Sequence, residues 1–271
     1  MVKELENGVW YVSDVHIDTH TDTLSPSKME RVVKNILFGE NGETKGGHVL
    51  LIAGDVGHYP KQNAVFLKAC ETFFNGVACV FGNHEMYLLP GRMRERYSDS
   101  FEKVEDMKNE IASLCERTEV LDGKAVSMGG FSIFGTPMWY DFSLLTNRGY
   151  SEEYAMSLWK SVMNDARMIK GKGGHTIDPM ELFDEEMRKL ASEEAFSADV
   201  ILTHVPPMAM GNILYGNSDY EAFYCFDGEE FLKNCKAKYW VCGHNHEPRL
   251  NDVDAYGTRI TLNPLGYGTR I

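Results

Sequence analysis

The chain has 271 residues, enough to bury a sizeable core within one α/β domain. Its 40 acidic residues outnumber 27 basic ones, for a net charge of −13, so long nucleic acid is not expected as a partner; tight binding of that kind needs basic patches. No apolar run approaches the roughly 18–20 residues of a membrane span, and the opening Met1-Val2-Lys3-Glu4-Leu5-Glu6 lacks the apolar stretch of a signal peptide. A cytoplasmic protein without membrane contact is therefore expected, and protein partners are left open. The six cysteines, at 70, 79, 115, 225, 235 and 242, lack zinc-type C-x-x-C spacing; Cys79 and Cys242 lie in apolar runs and read as buried thiols.

Residues 8–13 read as the first core strand, running directly into Asp14-Val15-His16. Asp18 and His20 continue an Asp-x-His-x-Asp-x-His alternation but read as a solvated loop. Ser25-Pro26-Ser27 is a helix start, and Val32, Val33, Ile36 and Leu37 give that helix an apolar face. Residues 40–47 form a Gly-rich polar loop. The near-continuous apolar run at 48–53 predicts a parallel strand covered on both faces, ended by Gly54-Asp55. A helix is expected over 61–74, then a strand over 77–81, then the turn Gly82-Asn83-His84-Glu85. Strand, helix and strand in repetition argue for an α/β class.

Residues 95–117 are charged and broadly helical, a solvated face without chemistry. Short strands are expected at 119–121, 124–128 and 131–135, separated by Asp122-Gly123 and Gly129-Gly130, opening a β-rich second half. Residues 143–198 read as an insertion or cap, with helical segments near 151–169 and 178–194 flanking Lys170-Gly171-Lys172-Gly173-Gly174. The strand at 199–203 delivers His204, and the run at 239–242 delivers Gly243-His244-Asn245-His246. Between them lies a helix over 227–235 with Asp227 at its N-cap. A hairpin over 253–262 turns near Tyr256-Gly257. Tyr256-Gly257-Thr258-Arg259-Ile260 recurs at 267–271 and is given no role.

Five blocks thus end apolar runs in order: Asp14-x-His16, Gly54-Asp55, Gly82-Asn83-His84-Glu85, His204 and Gly243-His244-x-His246. Singly, each reads as a turn or a satisfied core histidine. Ordered over residues 14–246, they resemble the calcineurin-like metallophosphoesterase superfamily. The resemblance implies an α/β fold, a four-layer α/β/β/α sandwich with two facing mixed sheets. Here it would be a single domain over 1–271 with a helical, cap-like insertion at about 143–198. It also implies two divalent or trivalent metal ions. One takes Asp14, His16, Asp55 and His246; the other takes Asp55, Asn83, His204 and His244, with Asp55 as the bridge. Side chains at i and i+2 of an extended segment share a side, so Asp14 and His16 can share one ion. A mixture of carboxylate, imidazole and amide suits Mn, Fe or Zn better than Ca. The implied reaction is hydrolysis of a phosphate monoester or diester in a small phosphorylated substrate, a metal-bridging hydroxide attacking phosphorus in line. His84 would protonate the leaving oxygen or stabilise its charge, a contribution of roughly 10²–10⁴ in rate.

The phosphoprotein-phosphatase branch continues its Gly-Asp block with an Asp that orients the catalytic histidine and an Arg that grips phosphate. His58 and Tyr59 stand there in this chain, so it does not resemble a close relative of the serine/threonine phosphatases. The orienting carboxylate and the clamp must come from elsewhere or be absent. For the clamp the insertion offers Asn164 and Arg167, because similar metallophosphoesterases pair stretches like 139–142 and 163–167. The bland alternative has Arg167 pairing with Asp141 or Asp165 and only anchoring the insertion. His48, His58 and His175 are assigned bland roles, and His20 is left with them. Two rivals to a phosphoesterase are a non-catalytic scaffold of the same fold, which the presence of all eight motif residues disfavours, and a nuclease acting on short nucleic acid.

Overall fold

The buried apolar runs become strands because each can cover both of its faces. The computed structural model describes residues 1–39, 48–210, 218–247 and 252–268; the expected loop at 40–47 and the end of the repeat, 269–271, lie outside them. β1 (Lys3–Glu4), β2 (Val9–Val12), β3 (Val49–Ala53), β4 (Gly76–Val80) and β5 (Thr118–Val120) form a first sheet in that order, parallel except for β1. β6 (Lys124–Met128), β7 (Phe131–Gly135), β8 (Val200–Leu202), β9 (Tyr239–Cys242), β10 (Val253–Ala255) and β11 (Thr258–Leu262) form a second, ordered β10-β11-β9-β8-β7-β6. In it β7, β8, β9 and β11 run parallel, and β6 and β10 pair antiparallel at the edges.

Alternation along the strands divides the core. Val9, Tyr11, Val49, Leu51 and Ala53 meet Ile133, Val200, Leu202 and Val241 between the sheets. Their neighbours Leu50, Ile52, Val77 and Cys79 face outward, onto the helices Pro26–Phe38, Pro60–Cys70 and Ser100–Leu114. The outer face of the second sheet, with Phe134, Ile201 and Trp240, is covered by Trp159, Ile169, Leu182 and Leu190. Helix, sheet, sheet and helix make the four-layer α/β/β/α sandwich. Each large apolar side chain so buried contributes about 1.5–3 kcal/mol.

Where the chain passes from one sheet to the other, the fold departs from the sequence expectation. The first of the three short strands, β5, pairs with β4 and closes the first sheet; the chain changes sheets only at Asp122-Gly123. A three-residue edge strand carries no pattern that names its sheet. Residues 143–198, read in the sequence as an insertion or cap, form much of the outer layer on the second sheet through the helices Glu152–Val162 and Pro179–Leu190.

Candidate metal centre

All five blocks leave the C-terminal ends of parallel strands, namely β2, β3, β4, β8 and β9, where open α/β sheets gather their ligands. The chain must turn sharply there. Asp14, His16, Asp55 and His244 have φ of 51°, 45°, 55° and 64°, half of the eight non-glycine residues with positive φ among those described. Such conformations cost on the order of 1–3 kcal/mol each and cluster where function requires them. Asp14 and His16 therefore converge by a tight left-handed turn, not by the expected alternation of an extended segment. Gly82 is required by close approach: a Cβ there would lie 2.3 Å from Asp55 Oδ1 and 2.7 Å from His204 Nε2.

Glu85 binds these loops together. Its buried carboxylate accepts the backbone N–H groups of Asp55 (3.1 Å), Gly57 (3.1 Å) and Gly82 (2.7 Å). Burial, then the Asp55 carboxylate, push it up to about 7. Lys103, on a helix expected to be a solvated face, is fully buried, and its Nζ donates to the carbonyls of Tyr87 (2.7 Å) and His84 (3.4 Å). It holds the short helix Asn83–Met86 from below.

The side chains of the five loops meet in two groups joined by Asp55. In the first, Asp14, His16, Asp55 and His246 present ligand-type atoms within 4.8 Å of one another. His246 Nε2 is 3.1 Å from Asp14 Oδ1 and 3.2 Å from His16 Nε2. In the second, His204 Nε2 is 3.1 Å from Asn83 Oδ1 and 3.2 Å from His244 Nδ1. Asp55 Oδ1 accepts the His84 backbone N–H, leaving Oδ2 to face both groups, 3.9 Å from His16 Nε2 and 3.5 Å from His204 Nε2.

These atoms suit a cation better than they suit one another. His204 Nδ1 donates to the carbonyl of Ala53 (2.8 Å) and His244 Nε2 to that of Phe223 (2.9 Å), so His204 Nε2 and His244 Nδ1 carry lone pairs. Asn83 Nδ2 donates to Tyr87 Oη and Asp165 Oδ1, both at 2.9 Å, which leaves Oδ1 as its inward atom. Three lone-pair donors then face each other with no proton between them. In the other group, Asp14 Oδ2 and His16 Nδ1 are buried without a hydrogen-bond partner among the described residues. Burial pushes Asp55, with Asp14 beside it, well above the carboxylate range. Burial would raise Asp14 too, but His246, His204 and His16 more than offset it and hold it low. Burial lowers His16 and His244 to about 3, the neutral form that ligates metal. The donor set fits two metal ions, since imidazoles, an amide and a shared carboxylate are typical ligands of transition metals.

His84 belongs to neither group, although its ring lies beside them, 4.5 Å from that of His16 between centroids. Its Nδ1 lies 3.0 Å from His58 Nε2, and His58 Nδ1 lies 2.7 Å from Asp18 Oδ2. The carboxylate that the sequence could not supply behind His84 is thus Asp18, acting through His58. Both residues read as bland in the sequence; Asp18 is in a short helix, Ile17–His20, not a solvated loop. Burial raises Asp18, but its hydrogen bond to His58 and the charge beside it more than offset this and hold it low. With Nδ1 engaged, any proton His84 presents to the centre is on Nε2, 3.8 Å from Asp55 Oδ2. Burial, then the neighbouring histidines, hold His84 well below the usual imidazole range.

A cavity of about 270 Å³ opens over the centre, lined by Asp55, His84, His244, His246 and an apolar wall of Met163, Tyr224 and Tyr267. Tyr267, in the repeat given no role, stacks on His16 with ring centroids 4.4 Å apart. Asn164 lines this cavity; Arg167 does not, and its guanidinium donates to Asn164 Oδ1 at 2.8 Å. Arg167 forms no ion pair with Asp141 or Asp165 among the described residues. Asp141 accepts the backbone N–H groups of Ser143 and Asp227, and Asp165 turns to Asn83, Tyr87 and Tyr140. The stretches at 139–142 and 163–167, paired in the sequence, meet through Tyr140 and Asp165.

Among solved structures, the chain is similar to the phosphopantetheinyl hydrolase PptH from Mycobacterium tuberculosis, with 18% identity over 96% of this chain and 89% of that one and a TM-score of 0.69. It is also similar to a putative 5'-nucleotidase from Staphylococcus aureus, with 14% identity over 95% of this chain and 48% of that one and a TM-score of 0.41. The first of these shares the fold. No curated protein matches the chain. No helix among the described residues is long and apolar enough to cross a membrane. The model of the calcineurin-like phosphoesterases matches residues 8–248, nearly the whole chain, and the protein belongs to that family.

Proposed function

We propose that the protein is a dinuclear-metal-dependent hydrolase of phosphate esters acting on a small phosphorylated substrate. The observation that carries the reading is Asp55 Oδ2, which faces two groups of lone-pair donors at once, with His84 Nε2 beside it. Asp14, His16, Asp55 and His246 would hold one ion, and Asp55, Asn83, His204 and His244 the other. Bound there, a pair of Mn, Fe or Zn ions would supply Lewis acidity and lower the pKa of a bound water toward neutrality. His84 is the acid or charge stabiliser for the leaving oxygen, its ring held by His58 and Asp18 so that Nε2 faces the ester. Asn164 supplies a polar contact: with its Oδ1 engaged by Arg167, its Nδ2 is the donor for a phosphate oxygen. The organic part of the ester lies against Met163, Tyr224 and Tyr267.

The test is a screen of aryl and alkyl phosphodiesters, phosphomonoesters and nucleotides with chelator-stripped protein, with and without Mn, Fe or Zn. Hydrolysis that disappears on stripping and returns with metal is expected. Full activity after verified metal removal, or metal uptake without hydrolysis of any substrate class, overturns the reading.

A further inference from the structure

Asp165 lies in the outer helical layer, 82 residues from Asn83 in sequence, yet it is fully buried and its carboxylate is directed at the centre. Oδ1 accepts Asn83 Nδ2 at 2.9 Å and the hydroxyl of Tyr87. Oδ2 accepts the hydroxyl of Tyr140 at 2.6 Å, itself held by Trp159 Nε1. Three donors converge on it, and one of them is the amide of a residue in the motif.

We infer that Asp165 is a positioning residue for the half of the centre formed by Asn83, His204 and His244. An asparagine amide can present either oxygen or nitrogen inward, and only its hydrogen-bond partners decide which. Asp165 can only accept from Asn83, so the NH₂ group turns outward and Oδ1 turns toward His204 Nε2. The same hydrogen bond draws electron density toward Oδ1 and makes it a better ligand, as outer partners do for metal-ligating side chains. Within the paired stretches at 139–142 and 163–167, the acidic residue is then the functional one, and Tyr140 is the contact that fixes it. This rests on the reading of the site as a metal centre.

The experiment measures Mn²⁺ binding to chelator-stripped protein by calorimetry, with circular dichroism to confirm folding. The parent is compared with Asp165→Asn, Asn83→Asp and the exchanged pair Asn83→Asp/Asp165→Asn. Asp165→Asn is expected to weaken one of two sites by about 10–100-fold and leave the other unchanged. Asn83→Asp sets two carboxylates against each other and weakens the same site. The exchanged pair restores a carboxylate–amide hydrogen bond with its polarity reversed, and should recover binding to within about tenfold of the parent. A folded Asp165→Asn that binds at both sites like the parent overturns the inference. So does an exchanged pair that binds no better than Asn83→Asp or does not fold; it carries the test by itself if Asp165→Asn does not fold. A parent that takes up no metal sinks the reading of the centre instead, which separates the two failures.

Discussion

The two halves of the centre are supported differently. In the half formed by Asn83, His204 and His244, every side chain is anchored on its outer side: to Asp165 and Tyr87, to the Ala53 carbonyl and to the Phe223 carbonyl. In the half formed by Asp14, His16 and His246, Asp14 Oδ2 and His16 Nδ1 have no hydrogen-bond partner among the described residues. The His246 side chain is 30% exposed there, and His16 is steered by stacking against Tyr267. Hydrogen-bonded outer partners fix ring orientation and raise ligand basicity. On the dinuclear reading, one half is preorganised for an ion, and the other would be completed by one.

The largest effect should come from the residue both halves share. Asp55→Ala should empty both sites, and its turnover should fall below that of His84→Ala, which loses about 10²–10⁴ while keeping both ions. Metal analysis of the two purified variants checks this. Equal metal loss in both would mean that His84 is a ligand. Next, stepwise Mn²⁺ titration of stripped protein should show two affinities about 10–100-fold apart. His204→Ala should remove the tighter one and His246→Ala the weaker. Two equal affinities in the parent would break the comparison.

How much of the centre was legible in the sequence depends on how each residue is held. The candidate ligands could be read because each succeeds a strand buried on both faces, and such strands are near-continuous apolar runs, as in β3 and β4. Their supporting residues could not. Asp18, His58 and His84 come from three separate segments of the chain, and no local spacing connects them. Lys103 reads as a solvent-facing charge on an amphipathic helix; only packing of that helix against Asn83–Met86 buries it. In the stretch at 163–167 phosphate binding points to the arginine, as a cation, whereas the tertiary contact belongs to Asp165. The positive φ at Asp14 and His16 likewise has no signature in their residue types.

The chain behind His84 serves neither half, so its loss should spare both affinities. His58→Ala and Asp18→Asn should keep the parent's metal content and lose about tenfold or more in kcat, within the 10²–10⁴ a general acid supplies. The loss should be greater for alkyl esters, whose leaving oxygen needs a proton, than for nitrophenyl esters, whose leaving oxygen does not. A loss equal across leaving groups would make His58 a packing residue.

The smallest effect is expected at Glu85, beneath both halves. Glu85→Gln replaces a carboxylate that accepts three backbone N–H groups with an amide that turns NH₂ toward at least one of them. An unsatisfied buried group costs about 1–3 kcal/mol, a few degrees in Tm for a chain of this size. Because Glu85 grips Asp55 and Gly57 on one loop and Gly82 on the other, both metal affinities should fall together, unlike the selective loss at Asp165. The pH dependence has a definite sign. Glu85 is raised to about 7 in the fold, above its unfolded value near 4.5, so between those values the folded protein binds more protons than the unfolded one. Stability from this group is present below that window and declines as pH rises through 7. The glutamine variant has no such titration, so in chelated protein its deficit in Tm should be larger at pH 5 than at pH 8. A deficit that grows with pH would mean that the three N–H groups outweigh burial and the neighbouring Asp55 carboxylate, and that Glu85 holds the loops as an ordinary low-pKa carboxylate.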